Sequence, residues 1–164
     1  MALTITFDEL LRYTSAERDK WRSWFTRQPA ALDAPLQPSA RFQTVGKLID
    51  HIFLGERRFL QRLTDAPLSS STGLTGTNVQ PLFDYGASVR RELEQFAATI
   101  DVDVADEART FEILDRPWTL SPRKILFHVL LHETRHWAQI ALAVRQAGFD
   151  PPGNHDLIFS SALR

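Results

Sequence analysis

Two histidines four residues apart stand in "LLHETRHWAQI", residues 130–140, and with the glutamate between them they spell the H-E-x-x-H of a zinc protease: His132, Glu133 and His136. On a helix the i, i+4 spacing brings two imidazoles side by side, with Cβ atoms about 5–6 Å apart. That separation suits two bonds of about 2.0–2.1 Å to one zinc-like ion. In a metalloprotease the intervening Glu is the general base, and a third ligand must follow. Here the positions for the glycine turn and third histidine of one such class hold Gln139 and Leu142, and the 28 residues after His136 contain no Glu. The surroundings of the motif therefore argue against a peptidase. Glu133 is left with three readings: a residue that orients a metal ligand, a solvated helix residue, or a catalytic base.

His128 extends the pair to a stripe. At 100° per residue His128, His132 and His136 lie within roughly 80° of one another, with Gln139 on the same face. Ile125, Val129, Ile140 and Ala143 share that arc, which marks it as the side turned toward a core. Imidazoles among core positions lose hydration and must find partners. A metal answers the need by taking one ring nitrogen while the other donates to a nearby acceptor. Three histidines are candidates for the third ligand. His128 is two turns from His136, too far along a straight axis to share an ion with the pair. His155 lies in a Pro-rich tail that no periodicity places. His51 lies on the arc of Leu48, Gly55 and Phe59 in another helical stretch and is the best third ligand. Gly55, one turn beyond it, leaves room either for close helix packing or for a substrate.

Four helical patterns must position these residues. The first covers about Phe7 to Arg27 and stops before Pro29, Pro35 and Pro38. Thr44 caps the second, which runs to Leu63; Pro67 and the polar "SSSTGLTGTN" follow as the most flexible loop. A third starts near Pro81 behind Asn78 and reaches about Ile100. "DVDVADEARTFEILDRPWTLS" then carries weak alternation at Phe111 and Ile113, a short hairpin-like excursion. The fourth has Ser121 as N-cap, Pro122 at its first position, Gln146 near its end and Gly148 as its stop. Antiparallel helices of this kind predict an all-α four-helix bundle. With 164 residues and 43% hydrophobic content, the chain fits one domain.

Composition excludes other classes. A net charge of -1, a pI near 6.5 and dispersed basic residues give no field for nucleic acid. No apolar run approaches the roughly 20 residues of a membrane span, and "MALTITFDELLRYTS" lacks the basic start and apolar stretch of a signal peptide, so the expectation is a cytoplasmic protein without a membrane partner. With no cysteine, any metal must be held by His, Asp, Glu or backbone oxygen. Of the 19 basic residues 16 are Arg, suited to bidentate carboxylate binding or to solvated helix faces. Trp21, Trp24 and Phe25 crowd the first helix, either as core or as the surface of a homodimer.

His51 followed by "GERRFLQRL", and "HVLLHETRHWAQIALAVRQAGFDPPGNHDLIF" with its H-x-x-x-H-x-x-x-H-x-x-Q pattern and "PP" and "D" tail, resemble the DinB and YfiT-like family over most of the chain. The resemblance implies a DinB-like bundle of four main antiparallel helices with a divalent metal on His51, His132 and His136; imidazole ligands suit zinc, nickel, copper and iron alike, and zinc or nickel is the expectation. The resemblance also implies pairing of bundles. Where many members have His-Arg-Gly-Gln, this chain has His136-Trp137-Ala138-Gln139. Relatives include transferases and isomerases that use a low-molecular-weight thiol, so the resemblance implies a thiol cosubstrate, deprotonated by the metal to attack an electrophilic carbon of a small-molecule substrate. Arg57, Arg58 or Arg135 are candidates to hold carboxylates of the thiol. Two other readings stand beside it: a non-catalytic, stress-related metal-binding protein, and a metal-dependent hydrolase using Glu133.

Overall fold

The structure, a computed structural model, describes residues 4–37 and 41–162. Four long helices form the bundle: α1 (Phe7–Arg27), α2 (Val45–Leu63), α3 (Val79–Thr99) and, after a five-residue α4 (Val102–Asp106) and a hairpin, α5 (Pro122–Gln146). Their starts are the caps the sequence predicts. Thr44, Asn78 and Ser121 each accept a backbone N–H of the first turn, and Gly148 ends α5 at φ 88°. The start of α1 is also capped, by a reciprocal pair that the sequence reading passed over. Thr6 Oγ1 accepts from the Glu9 N–H at 3.2 Å, while Glu9 Oε2 accepts from the Thr6 N–H at 2.8 Å.

The excursion is a hairpin. β1 (Arg109–Ile113) pairs antiparallel with β2 (Arg116–Leu120). Leu114 and Asp115 make its two-residue turn with φ of 53° and 57°, values that Gly or Asn would adopt at less cost. Phe111 is the inward residue of β1 and joins Leu60, Leu63, Ile125 and Leu126 in the core.

Two apolar layers fill the bundle, and their membership gives the helix directions. One layer holds the end of α1 (Trp21, Phe25), the start of α2 (Ile49, Phe53), the start of α3 (Phe83) and the later half of α5 (Trp137, Ile140). The other holds Leu60, Leu93, Ile125 and Leu130, with Leu10 and Leu11 against it. Thus α1 and α5 run one way, and α2 and α3 run the other. The expected simple alternation of antiparallel neighbours does not hold for α2 and α3, which pack together in parallel. A parallel pair requires a connection that travels back along the bundle, and residues 64–78 supply it. The loop expected there is present, and it is anchored along its length. Arg58 donates to the carbonyls of Ser69 and Ser70, Thr72 to Asp50, and Gly76 lies so close to Gly46 that a Cβ on Gly46 would stand 1.9 Å from the Gly76 oxygen. The segment is fastened to α2 at three heights.

Trp21, Trp24 and Phe25 are 0%, 6% and 0% exposed, so these aromatics fill the core and supply no surface for a second copy. No described helix is long and apolar enough to cross a membrane.

Candidate metal centre

α2 and α5 pack along each other and carry the histidines on facing sides. One donor atom from each of His51, His132 and His136 falls within a mutual span of 4.8 Å, the one such cluster among the described residues. His132 Nε2 and His136 Nε2 are 3.0 Å apart. Two ligands on one ion with bonds of about 2.0–2.1 Å stand about 2.9–3.4 Å from each other. The spacing fits a shared ion. His136 Nδ1 lies 2.6 Å from Gln139 Oε1; an amide oxygen only accepts, so Nδ1 carries the proton and Nε2 keeps its lone pair. Gln139, one turn after His136, thereby fixes the tautomer a metal needs.

The electrostatics agree. Burial, then the neighbouring His136 and the charges of Arg41, Arg58 and Arg135, lowers the pKa of His51 to about 4. Burial and the other imidazoles take His132 down to about 3. His136 is lowered by burial as well, with Gln139 opposing. All three are lowered below the ordinary imidazole value and so are neutral at pH 7, the form in which imidazole can take a metal.

The triad forms part of the wall of a cavity of about 820 Å³. Phe42 lies against His51, with ring centres 4.5 Å apart, and the hairpin tip, Ile113 and Leu114, contributes to the same wall. Gly55 belongs to it too. A Cβ there would meet only His132 Cε1, at 3.8 Å, so helix packing does not require glycine and its small size serves the cavity. His128 is exposed, with its ring centre 5.1 Å from that of Phe59 and 5.6 Å from that of His132. It is a neighbour of the triad outside the ligand cluster. His155 sits elsewhere, stacked on Trp21 with Nδ1 2.5 Å from Glu17 Oε2, where it helps hold the tail against α1.

Glu133 has none of the roles the sequence suggested. It is 1% exposed and does not line the cavity. Its Oε1 accepts from Arg18 Nε and Trp137 Nε1, both at 2.9 Å, and its Oε2 accepts from Arg18 at 2.7 Å and from Arg90. Glu56 completes the group, bound to Arg18 at 2.6 Å and to Arg90 at 2.9 Å. Burial opposes ionisation of Glu56, but the two guanidiniums outweigh it and hold its carboxyl at about 2. Each of the four long helices gives one charge to this quartet, which lies between the two apolar layers. A carboxylate so occupied has no lone pair free for a substrate proton. Trp137, the departure from the family pattern, donates to Glu133 and stacks on Trp21 in the core.

Of the arginines considered for carboxylate binding, Arg57 is spent on Glu92 in a fork. Arg58 and Arg135 do line the cavity, joined by Arg41 and Arg62, which the sequence reading missed. Arg62 was findable, since it continues the stripe of His51, Gly55, Arg58 and Phe59 on α2. Arg41 precedes the helix and no pattern marks it. The quartet had a sequence signal as well: Glu56 interrupts the apolar face of Ile49, Ile52, Phe53, Leu60 and Leu63, and Arg90 that of Leu82, Phe83, Val89 and Leu93.

The DinB family model matches residues 1–161. A crystal structure of the DinB-like protein YjoA from Bacillus subtilis superposes with a TM-score of 0.59 at 15% identity, covering 87% of this chain and 97% of that one. At that identity the likeness is one of fold. No curated protein matches the chain.

Proposed function

The chain belongs to the DinB family, and on that premise we propose that it is a divalent-metal-dependent enzyme of the thiol-dependent transferase or isomerase type. One observation carries the reading: three neutral imidazole donors within 4.8 Å form part of the wall of a cavity large enough for two small reactants. His51, His132 and His136 would hold the ion, and three protein ligands leave a position open, the arrangement of catalytic sites as opposed to closed structural ones. Imidazole suits zinc and nickel alike. A bound divalent cation would lower the pKa of a thiol presented on its open side, making a nucleophile at neutral pH.

The remaining work falls to this chain's own residues. Gln139 holds the His136 proton on Nδ1. Phe42 and Phe59 present apolar surface beside the triad, and Leu114 does so from the hairpin. Among the described residues no Asp or Glu lines the cavity, which disfavours a hydrolase that needs a carboxylate base. Glu133→Gln should therefore leave the chemistry unaffected wherever the fold survives. The test is elemental analysis of purified protein, followed by assays of the loaded protein with a panel of small thiols and electrophiles. We expect one zinc or nickel per chain and turnover that needs a thiol and is lost in His132→Ala. Protein that binds metal stoichiometrically but turns over no thiol, while cleaving an ester or peptide, would overturn the proposal.

A further inference from the structure

The cavity is charged in one sense only. Its twenty lining residues include Arg41, Arg58, Arg62 and Arg135 and no carboxylate, in a chain whose acidic residues outnumber its basic ones by 20 to 19. Outside the cavity five arginines among the described residues meet acids, Arg18 and Arg90 on Glu56 and Glu133, Arg22 on Asp84, Arg57 on Glu92 and Arg123 on Asp106, while others, such as Arg109 and Arg145, do not. Among the described residues the four cavity arginines have no carboxylate partner. Arg58 and Arg62 are held by backbone carbonyls, at 2.8 Å from Nε in each case. Arg41 leans on the Phe42 ring at 5.5 Å, and Arg135, on α5, is exposed beside His136. Three neutral histidines add no negative charge, and a divalent ion would add two positive ones. Unopposed guanidiniums in a concave wall focus a positive potential that an incoming ligand can neutralise. Phe42, Phe59, Ile113 and Leu114 make the rest of the wall apolar.

We propose that this cavity selects an amphipathic organic anion, whose carboxylate or phosphate group is bound by Arg41 and Arg135 and whose apolar part lies against Phe42, Phe59 and Leu114. The inference rests on the cavity being the substrate site of the proposed enzyme, and it specifies the charge its ligand must carry. Guanidinium forks match both acid groups in geometry. The acid belongs either to the thiol or to the second reactant, and the two sources can be told apart.

The experiment is calorimetric titration of metal-free and zinc-loaded protein with two probe pairs: benzylsuccinate against its diamide, and N-acetylcysteine against its amide. Benzylsuccinate should bind metal-free protein at least about tenfold more tightly than the diamide, and less tightly as salt is raised. Arg41→Gln and Arg135→Gln should each weaken it about 5- to 10-fold, whereas Arg145→Gln, an equal charge change at an exposed residue outside the cavity wall, should leave it unchanged. A preference for N-acetylcysteine over its amide places the acid on the thiol. No preference there, with benzylsuccinate still favoured over its diamide, places it on the other reactant. Equal affinity for benzylsuccinate and diamide, or equal weakening by Arg145→Gln and Arg135→Gln, overturns the inference. Zinc uptake measured on the same samples separates the two claims. One zinc per chain without anion preference sinks only the anion site, and anion preference in protein that takes up no zinc sinks only the metal enzyme.

Discussion

Helix α5 carries two polar clusters on different sides, and their neighbouring members, His132 and Glu133, meet opposite fates. The Glu133 quartet is buried and complete: two carboxylates face two guanidiniums, and each carboxylate oxygen has a donor. The histidine triad is paired only within itself and to Gln139. His132 Nε2 and His136 Nε2 face each other at 3.0 Å beside an open cavity, and only one proton could be shared between them. The fully paired quartet holds the fold, whereas the converging imidazoles stand beside the cavity where a metal could be held. The difference teaches that H-E-x-x-H spacing places two histidines together but says nothing of where the residue between them points.

Substitution should separate the clusters, and the largest effect belongs to the quartet. Glu133→Ala leaves Arg18 and Arg90 facing a single buried carboxylate, and should cost about 3–5 kcal/mol of stability in urea unfolding. His132→Ala should do the reverse: metal affinity falls by about 10² or more, while metal-free protein unfolds within about 1 kcal/mol of the parent. If the histidine variant lost stability like the glutamate variant, the distinction between a structural and a ligand-binding cluster would fail. A finer probe is Gln139→Ala, which keeps all three ligands and removes the acceptor for the His136 Nδ1 proton. We expect a 10–100-fold weaker zinc affinity, measured by competition with a chelator.

Acid should also separate the clusters. The folded-state pKa values of His51 and His132, about 4 and about 3, lie below the ordinary 6.5. Below pH 6.5 the unfolded chain takes up protons that the folded chain refuses, so metal-free protein loses stability as pH falls from 6.5 through about 4 for His51 and toward about 3 for His132. Glu56, held at about 2 against 4.5, withdraws its contribution only as pH falls from 4.5 toward 2. The two windows overlap below pH 4.5, so the histidines are read between pH 6.5 and 4.5, where replacing His51 and His132 together should remove the loss of stability. The smallest effect is expected at Gly55→Ala, where a methyl group fits at 3.8 Å from His132: no loss of stability and up to about 1 kcal/mol gained from helix propensity, with the cavity slightly smaller. A clear loss would mean that glycine is there for packing after all.

The legible part of this protein was local. Helix ends could be read because caps act within one turn: Thr44, Asn78 and Ser121 sit where their side chains reach the first free N–H groups, and Gly148 where φ must be positive. The pairing of His132 with His136 was equally local, a consequence of 3.6 residues per turn. His51 could be chosen by its face alone, since both stripes had to turn inward.

What tertiary structure decided were relations between distant segments. Parallel packing of α2 and α3 follows from which ends share an apolar layer, and only that packing turns residues 64–78 from a loop into a strap on α2. The aromatic crowd at Trp21, Trp24 and Phe25 read equally well as surface or core until the partners Phe83 and Trp137 arrived from other helices. Glu133 shows the limit most plainly. Its neighbours in sequence placed it in a metalloenzyme motif, whereas its surroundings were set by Arg18, 115 residues away, and Arg90, 43 residues away. A charge is stabilised by whatever stands within a few ångströms, and that is a property of the packed bundle.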